Sequence, residues 1–449
     1  MKFLQLNQWR RIPIVLVILG IILVTVVTTL NIQDRGGLQL TKTVSTHQFK
    51  TWTSIEFIKD PVMNDQFRWI LSQMLYGGAD LGECLDVATR IIPGDESSWF
   101  NEWSALAKRL GELANLLRQE GNDASAAHSL LRSATYYRAA LIHFSNPWDK
   151  TALEITERAT QQFEAANKIL KVSVTRVEIP YEGTTLPAYF YESPSAKGPR
   201  SPLLIVHQGR DGWPEDTQWV YKTAMARGIH ALMVHAPGQG LALRVRKLPF
   251  RPDWEKVITP IIDYATTLKS VDPKRIAIMG LSFGGALVPR ALAFEHRLKL
   301  AIVNPGVLNW GEAMFEHFNS IPGVSYLYRN NQDLFNNFVG LMGKVWPTAE
   351  WYFKDAAAKH GVQTPSQLFT ELGKFNNEPI VHLIQTPLLI MEGTEEAASP
   401  GQSKKLFDAL RSPKEIMIFD STTTAQLHCQ TGGLAYASDR LFDWIEDRL

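Results

Sequence analysis

The stretch Arg275-Ile-Ala-Ile-Met-Gly-Leu-Ser282-Phe-Gly-Gly285 holds the residues best placed to do chemistry. Ile276 to Met279 is an apolar run that predicts a buried strand. Gly280-Leu281-Ser282-Phe283-Gly284 predicts a tight turn, and Ala286 to Phe294 a helix. A serine on a sharp strand-to-helix turn, with small residues two places on either side, is a nucleophile elbow. The glycines let the backbone turn without a Cβ clash and leave the hydroxyl exposed at the end of the strand. The five-residue pattern alone recurs by chance in Gly-rich chains; the strand before it and the helix after it give it weight.

A serine hydroxyl is a poor nucleophile near neutral pH and needs a base and an acid that orients the base. On an elbow of this type the chain order is serine, acid, histidine. Of 11 histidines, only His296, His317, His360, His382 and His428 follow Ser282. Only His428 also follows the apolar strand Pro387 to Met391, in Gln426-Leu-His428-Cys-Gln430. The acid is sought in Glu392-Gly-Thr-Glu395-Glu396-Ala-Ala-Ser-Pro400. A carboxylate three places after Gly393 selects Glu396; Glu395 is the alternative, and Asp420 after the next strand is weaker. An oxyanion needs amide donors. Phe283, directly after the serine, supplies one. Gly209 or Arg210, in the loop His207-Gln-Gly-Arg-Asp-Gly212, supplies the other.

These residues need a scaffold that brings strand ends together. From residue 171 onward, strand and helix patterns alternate. The strand patterns include Leu203–His207, His230–Val234, Arg275–Met279, Leu298–Val303, Pro387–Met391 and Glu415–Phe419. This alternation predicts an α/β fold, a mostly parallel sheet with helices on both faces. In such sheets ligands bind at the carboxyl ends of the strands. Residues 171–449 are therefore read as the catalytic domain, interrupted at about 308–380 by an insertion rich in aromatics, a lid or a cover for the sheet. Residues 47–170 have helical periodicity and are read as a cap, with no fixed repeat. Tyr76, Trp99, Trp103 and Tyr137 are candidates for its pocket wall, with ordinary helix packing as the plainer reading.

Several motifs together resemble a known family. They are Tyr76-Gly-Gly-Ala-Asp80, His207-Gln-Gly-Arg-Asp-Gly212, Ala236-Pro-Gly-Gln-Gly240, Leu248-Pro-Phe-Arg-Pro-Asp-Trp254, Gly280-Leu-Ser-Phe-Gly-Gly285 and His428-Cys-Gln430. The chain from about residue 50 to its end resembles the α/β-hydrolases with a helical N-terminal cap. That group includes 2,6-dihydroxypseudooxynicotine hydrolase and fungal polyketide-shortening hydrolases of pigment pathways. The resemblance implies an α/β-hydrolase fold and cofactor-independent hydrolysis of an ester, or of a carbon–carbon bond beside a ketone, by serine, aspartate and histidine. Ser282 and His428 match its motifs. This chain departs at Gln208, where a second glycine is frequent, at His235, where an acidic residue is common, and at the acid, where glutamate replaces aspartate.

With 449 residues, 45% apolar and 20% charged, the chain reads as globular. A net charge of +1 points to no nucleic-acid partner. Cys84 and Cys429 cannot form a disulfide framework. No metal or phosphate-loop motif occurs, so neither cofactor nor metal is expected. Residues 12–33 carry no charge, which predicts one transmembrane anchor between a cytoplasmic 1–11 and a linker at 34–46. Lys2, Arg10 and Arg11 place the N-terminus in the cytoplasm and the catalytic domain outside it; a cleaved signal is the rival reading. The expectation is a membrane-anchored serine hydrolase acting on a small to medium, fairly apolar substrate, with homo-oligomerisation open. A hydrolase fold without activity that binds a ligand, and more weakly a peptidase, are the alternatives.

Overall fold

The computed structural model describes residues 51–319 and 321–449. Its centre is an eight-stranded sheet: β1 Val174–Tyr181, β2 Thr184–Tyr191, β3 Ser201–His207, β4 His230–Val234, β5 Val271–Leu281, β6 Leu300–Asn304, β7 Leu388–Gly393 and β8 Lys414–Phe419. The spatial order is β1-β2-β4-β3-β5-β6-β7-β8. β1 and β2 form a hairpin closed by Glu182 and Gly183, both at positive φ, and β2 runs antiparallel to β4; every other pairing is parallel.

The central strands are apolar throughout because both of their faces are covered. Alternate residues go to opposite sides. Ile205, Ile278, Val303 and Ile390 pack under the helices Glu255–Thr267 and Gly284–Leu292. Val206, Met279, Ile302 and Met391 pack under Gln218–Ala226 and Leu434–Glu446. All the parallel strands thus end on the same edge, where the loops after β3, β5, β7 and β8 converge.

Five helices form the cap: Pro61–Ser72, Leu81–Ala88, Glu96–Gln119, Asp123–Ala140 and Lys150–Ile169. Asp60, Asp95 and Asp149 accept hydrogen bonds from first-turn amides and start three of them. The cap has its own core, in which Trp103 lies against Tyr136, Trp99 and Phe67, with ring centroids 5.4, 5.8 and 6.2 Å away. Between β6 and β7 come five more helices: Trp310–Asn319, Val324–Asn330, Gln332–Val345, Pro347–His360 and Pro365–Leu372. Phe369 gathers Phe315, Phe318, Tyr328, Phe335 and Phe353 around it there. Cap and insertion meet, for the Trp351 indole donates to the carbonyl of Ile142 at 3.1 Å.

The expected transmembrane helix is corrected. Among the described residues no helix is long and apolar enough to cross a membrane. The segments read as N-terminus, anchor and linker, residues 1–46, lie outside the described residues. What stands is an α/β-hydrolase fold with a helical cap.

Trp103 is wholly buried. Trp103→Ala should cost about 3–5 kcal/mol of stability by opening a cavity in the cap core, read as a lowered urea midpoint.

Candidate active site

Ser282 sits where β5 turns into the helix Gly284–Leu292. Its φ is +54°, a left-handed backbone that is costly for a side-chain-bearing residue and recurs at functional sites. The turn is closed by two bonds: the Ser282 amide donates to the Asn304 carbonyl at 2.7 Å, and the Gly285 amide donates to the Ser282 carbonyl at 2.8 Å. Only glycine fits at 280, since a Cβ there would lie 2.3 Å from the carbonyl oxygen of Gly284.

His428 follows β8 on a short turn whose next two residues, Cys429 and Gln430, also have positive φ. Three contacts tie this turn to the elbow through Asn304 at the end of β6. The Asn304 side-chain Nδ2 donates to Gln430 Oε1 at 2.6 Å, and the Cys429 thiol donates to the Asn304 backbone carbonyl at 3.3 Å. That same carbonyl holds the Ser282 amide. His428 Nε2 lies 2.8 Å from Ser282 Oγ.

On the far side of the ring, His428 Nδ1 lies 2.7 Å from Glu396 Oε2 and 2.9 Å from Oε1. Glu396 Oε1 also accepts the amides of Ala398 and Ser399, at 2.8 and 3.0 Å. Glu396 is buried and Glu395 exposed. The backbone makes the choice: Glu395 pairs with Leu427, and its amide donates to the Gln426 carbonyl at 2.8 Å. This registers residue 396 against residue 428. Asp420 instead caps its own turn, accepting from Thr422.

Burial raises the Glu396 pKa, but the facing imidazole and the two amides outweigh it and hold the carboxyl below its ordinary value. Burial likewise disfavours the His428 imidazolium, while the Cys429 sulfur and the Glu396 carboxylate favour it and prevail. The His428 pKa therefore stands well above the ordinary value. Other histidines go the opposite way. Burial pushes His143, His207 and His360 down to about 3 and depresses His235 strongly. These four stay neutral and cannot hold a proton near neutral pH.

The loop after β3 meets the elbow backbone to backbone. A Cβ on Gly209 would stand 2.4 Å from the Cβ of Ser282. Among the described residues, no backbone acceptor takes the amides of Gly209, Arg210 or Phe283. The side chains of this loop are clamped by the insertion. The Arg210 guanidinium lies over the Tyr352 ring at 4.4 Å and 3.6 Å from Asp355, and Lys359 bridges Asp211 and Asp355 at 2.7 and 2.8 Å. Burial raises the Asp211 pKa, yet Arg210 and Lys359 prevail and keep it ionised.

The aromatics expected at the pocket wall are found elsewhere, a correction with a packing reason. Trp99, Trp103 and Tyr137 are buried in the cap's own core. Trp99 backs onto His143, which itself faces Trp351, at 4.7 and 4.1 Å between centroids. Tyr76 bonds Thr223 at 2.8 Å, on the opposite side of the sheet from the elbow helix. Sequence reasoning missed Asn304, although an asparagine closing a central apolar strand is a usable signal. It also missed the Asp355–Lys359 pair, spaced one helical turn apart. Among the described residues no group of three His, Cys, Asp or Glu side chains is placed to hold a metal ion.

A family model described as "Esterase FrsA-like" matches residues 64–328, more than half of the chain. The chain belongs to the FrsA-like esterase family. This FrsA-like protein is 29% identical over 402 residues to hydrolase LUC6 of Fusarium sp., covering 86% of this chain and 96% of that one. It is also 29% identical over 401 residues to the 20-hydroxy-prefusarin hydrolase FUS2 of Gibberella moniliformis, covering 85% and 95%. Among solved structures, 2,6-dihydroxy-pseudo-oxynicotine hydrolase superposes with a TM-score of 0.65 at 18% identity, covering 84% of this chain and 95% of the other. The FrsA-like protein is therefore an α/β-hydrolase enzyme, as the resemblance in its motifs implied.

The imidazole of His428 should titrate above the ordinary histidine value of about 6.5, and Glu396→Gln should move it downward by removing one of the two groups that oppose burial. NMR of selectively labelled histidines, compared with His428→Ala for assignment, checks both.

Proposed function

We propose that this hydrolase works through a covalent serine mechanism with Ser282 as nucleophile, His428 as base and Glu396 as its orienting acid. The reading rests on one observation: Ser282 Oγ, the His428 ring and the Glu396 carboxylate form a continuous hydrogen-bonded chain. With Nδ1–H donating to Glu396, Nε2 carries the lone pair that accepts the serine proton. Oγ bonds to the substrate carbonyl carbon, and the carbonyl oxygen gains the negative charge. The amide of Phe283, with that of Gly209 or Arg210, stabilises this oxyanion. Collapse breaks the bond to the leaving group, which takes its proton from His428. A water then gives its proton to His428 and attacks the acyl-serine; the bond to Oγ breaks, Oγ takes that proton back from His428, and the acid is released.

The substrate in this reading is a small to medium, fairly apolar molecule with an ester or a ketone-adjacent carbon–carbon bond. The family description favours the ester, whereas the names of 20-hydroxy-prefusarin hydrolase and 2,6-dihydroxy-pseudo-oxynicotine hydrolase favour small organic molecules in general. A non-catalytic binding role is disfavoured, because a carboxylate does stand against His428.

The first test is labelling by a fluorophosphonate, which reacts only with an activated serine. Wild type should label; Ser282→Ala and His428→Ala should not, and each should lose at least about 10⁴-fold in ester turnover. Labelling that persists in Ser282→Ala would refute the assignment. Because neutral His428 is the base, the rate should fall as pH drops through a pKa above 6.5, the reverse of a process that needs the imidazolium. A pH–rate profile flat between pH 6 and 8 would contradict this.

A further inference from the structure

The turn after β4, Ala236-Pro-Gly-Gln239-Gly240, has no part in the proton relay, yet its glutamine is almost wholly buried, at 1% exposure. Gln239 directly precedes the short helix Gly240–Arg244, a position from which a polar side chain often caps its own helix. It does not do so here. Its Nε2 instead reaches the loop after β3 and donates to two successive carbonyls, Gln208 at 2.6 Å and Gly209 at 3.1 Å. Its own backbone is anchored: the Gln239 amide donates to Ala236, and the Leu243 amide donates to the Gln239 carbonyl.

A carboxamide NH₂ has two protons, one for each carbonyl. A trans peptide is planar, and its C=O and N–H point in opposite directions. The peptide that carries the Gln208 carbonyl also carries the Gly209 amide. The next one carries the Gly209 carbonyl and the Arg210 amide. Holding both carbonyls therefore turns both amides away from Gln239. It is at Gly209 that this loop touches Ser282. Lys359 and Asp355 hold the side chains of the same loop, whereas Gln239 holds its backbone.

We propose that Gln239 is a positioning residue for the oxyanion site, setting the direction of the Gly209 and Arg210 amides without touching the substrate. This rests on the serine mechanism proposed above. A donor aimed beforehand at the developing charge acts on the transition state more than on the ground state. Its loss should then appear in kcat and spare KM.

The test compares wild type with Gln239→Met, which keeps the length and removes both donors. The probes are 4-nitrophenyl butyrate and an aryl trifluoromethyl ketone, whose serine adduct carries the oxyanion. The expected result is a fall in kcat of about 10- to 100-fold, KM within about twofold, and a ketone Ki that rises by the same factor as kcat/KM falls. Gln239→Leu carries the same expectation should Gln239→Met not fold. An unchanged kcat and Ki in a folded variant, or a raised KM alone, would overturn the proposal while leaving Ser282 labelling intact. A wild type that is neither labelled at Ser282 nor active on the ester would overturn the serine mechanism, and this inference with it.

Discussion

The carbonyl of Asn304 is the point on which the site turns. It closes β6 at the edge where the parallel strands end, and it accepts from the Ser282 amide on one side and the Cys429 thiol on the other. The Asn304 side chain, fully buried, then takes Gln430. One residue thus sets the distance between two turns far apart in sequence. Both turns carry positive φ, so each needs outside contacts to hold a backbone it would not adopt alone. The sheet supplies the rigid frame, and Asn304 transmits it to the serine and the histidine.

Around this centre the fold closes in from two sides. The cap lies against the loops at one side, and the insertion after β6 reaches from the other until Trp351 meets Ile142. The charges of Arg210, Asp211, Asp355 and Lys359 gather where the insertion meets the loop after β3, with Asp355 and Lys359 buried. Ionic groups cost free energy when buried, and this set is kept by mutual pairing. In return they strengthen one another where water does not screen them, and so stiffen the loop they enclose.

The legible part of the sequence was local. An apolar run, a Gly-flanked serine and a helix-forming stretch are contiguous, and the serine–acid–histidine order narrowed 11 histidines to His428. The alternation of strands and helices likewise showed a mostly parallel sheet with helices on both faces. Spacing from Gly393 selected Glu396 over its neighbour Glu395, but adjacent residues share the other local signals; the pairing of residue 395 with Leu427 is the contact that tells them apart. Asn304 and Gln239 act through carbonyls on distant segments, contacts that leave no periodicity to read. The cap aromatics misled for the opposite reason: an aromatic at helical spacing looks the same whether it faces a cleft or, like Trp103, its own helical core.

The junction of cap and insertion also bears on how the molecule comes to exist. The cap is complete in sequence by Ile169, and its aromatic core needs nothing made later. The surface that receives it belongs to strands and helices made afterwards, and the contact from Trp351 to Ile142 arrives later still. Of the three groups in the relay, Ser282 emerges from the ribosome first and His428 last. The three groups therefore cannot meet until His428 has been made, 146 residues after Ser282.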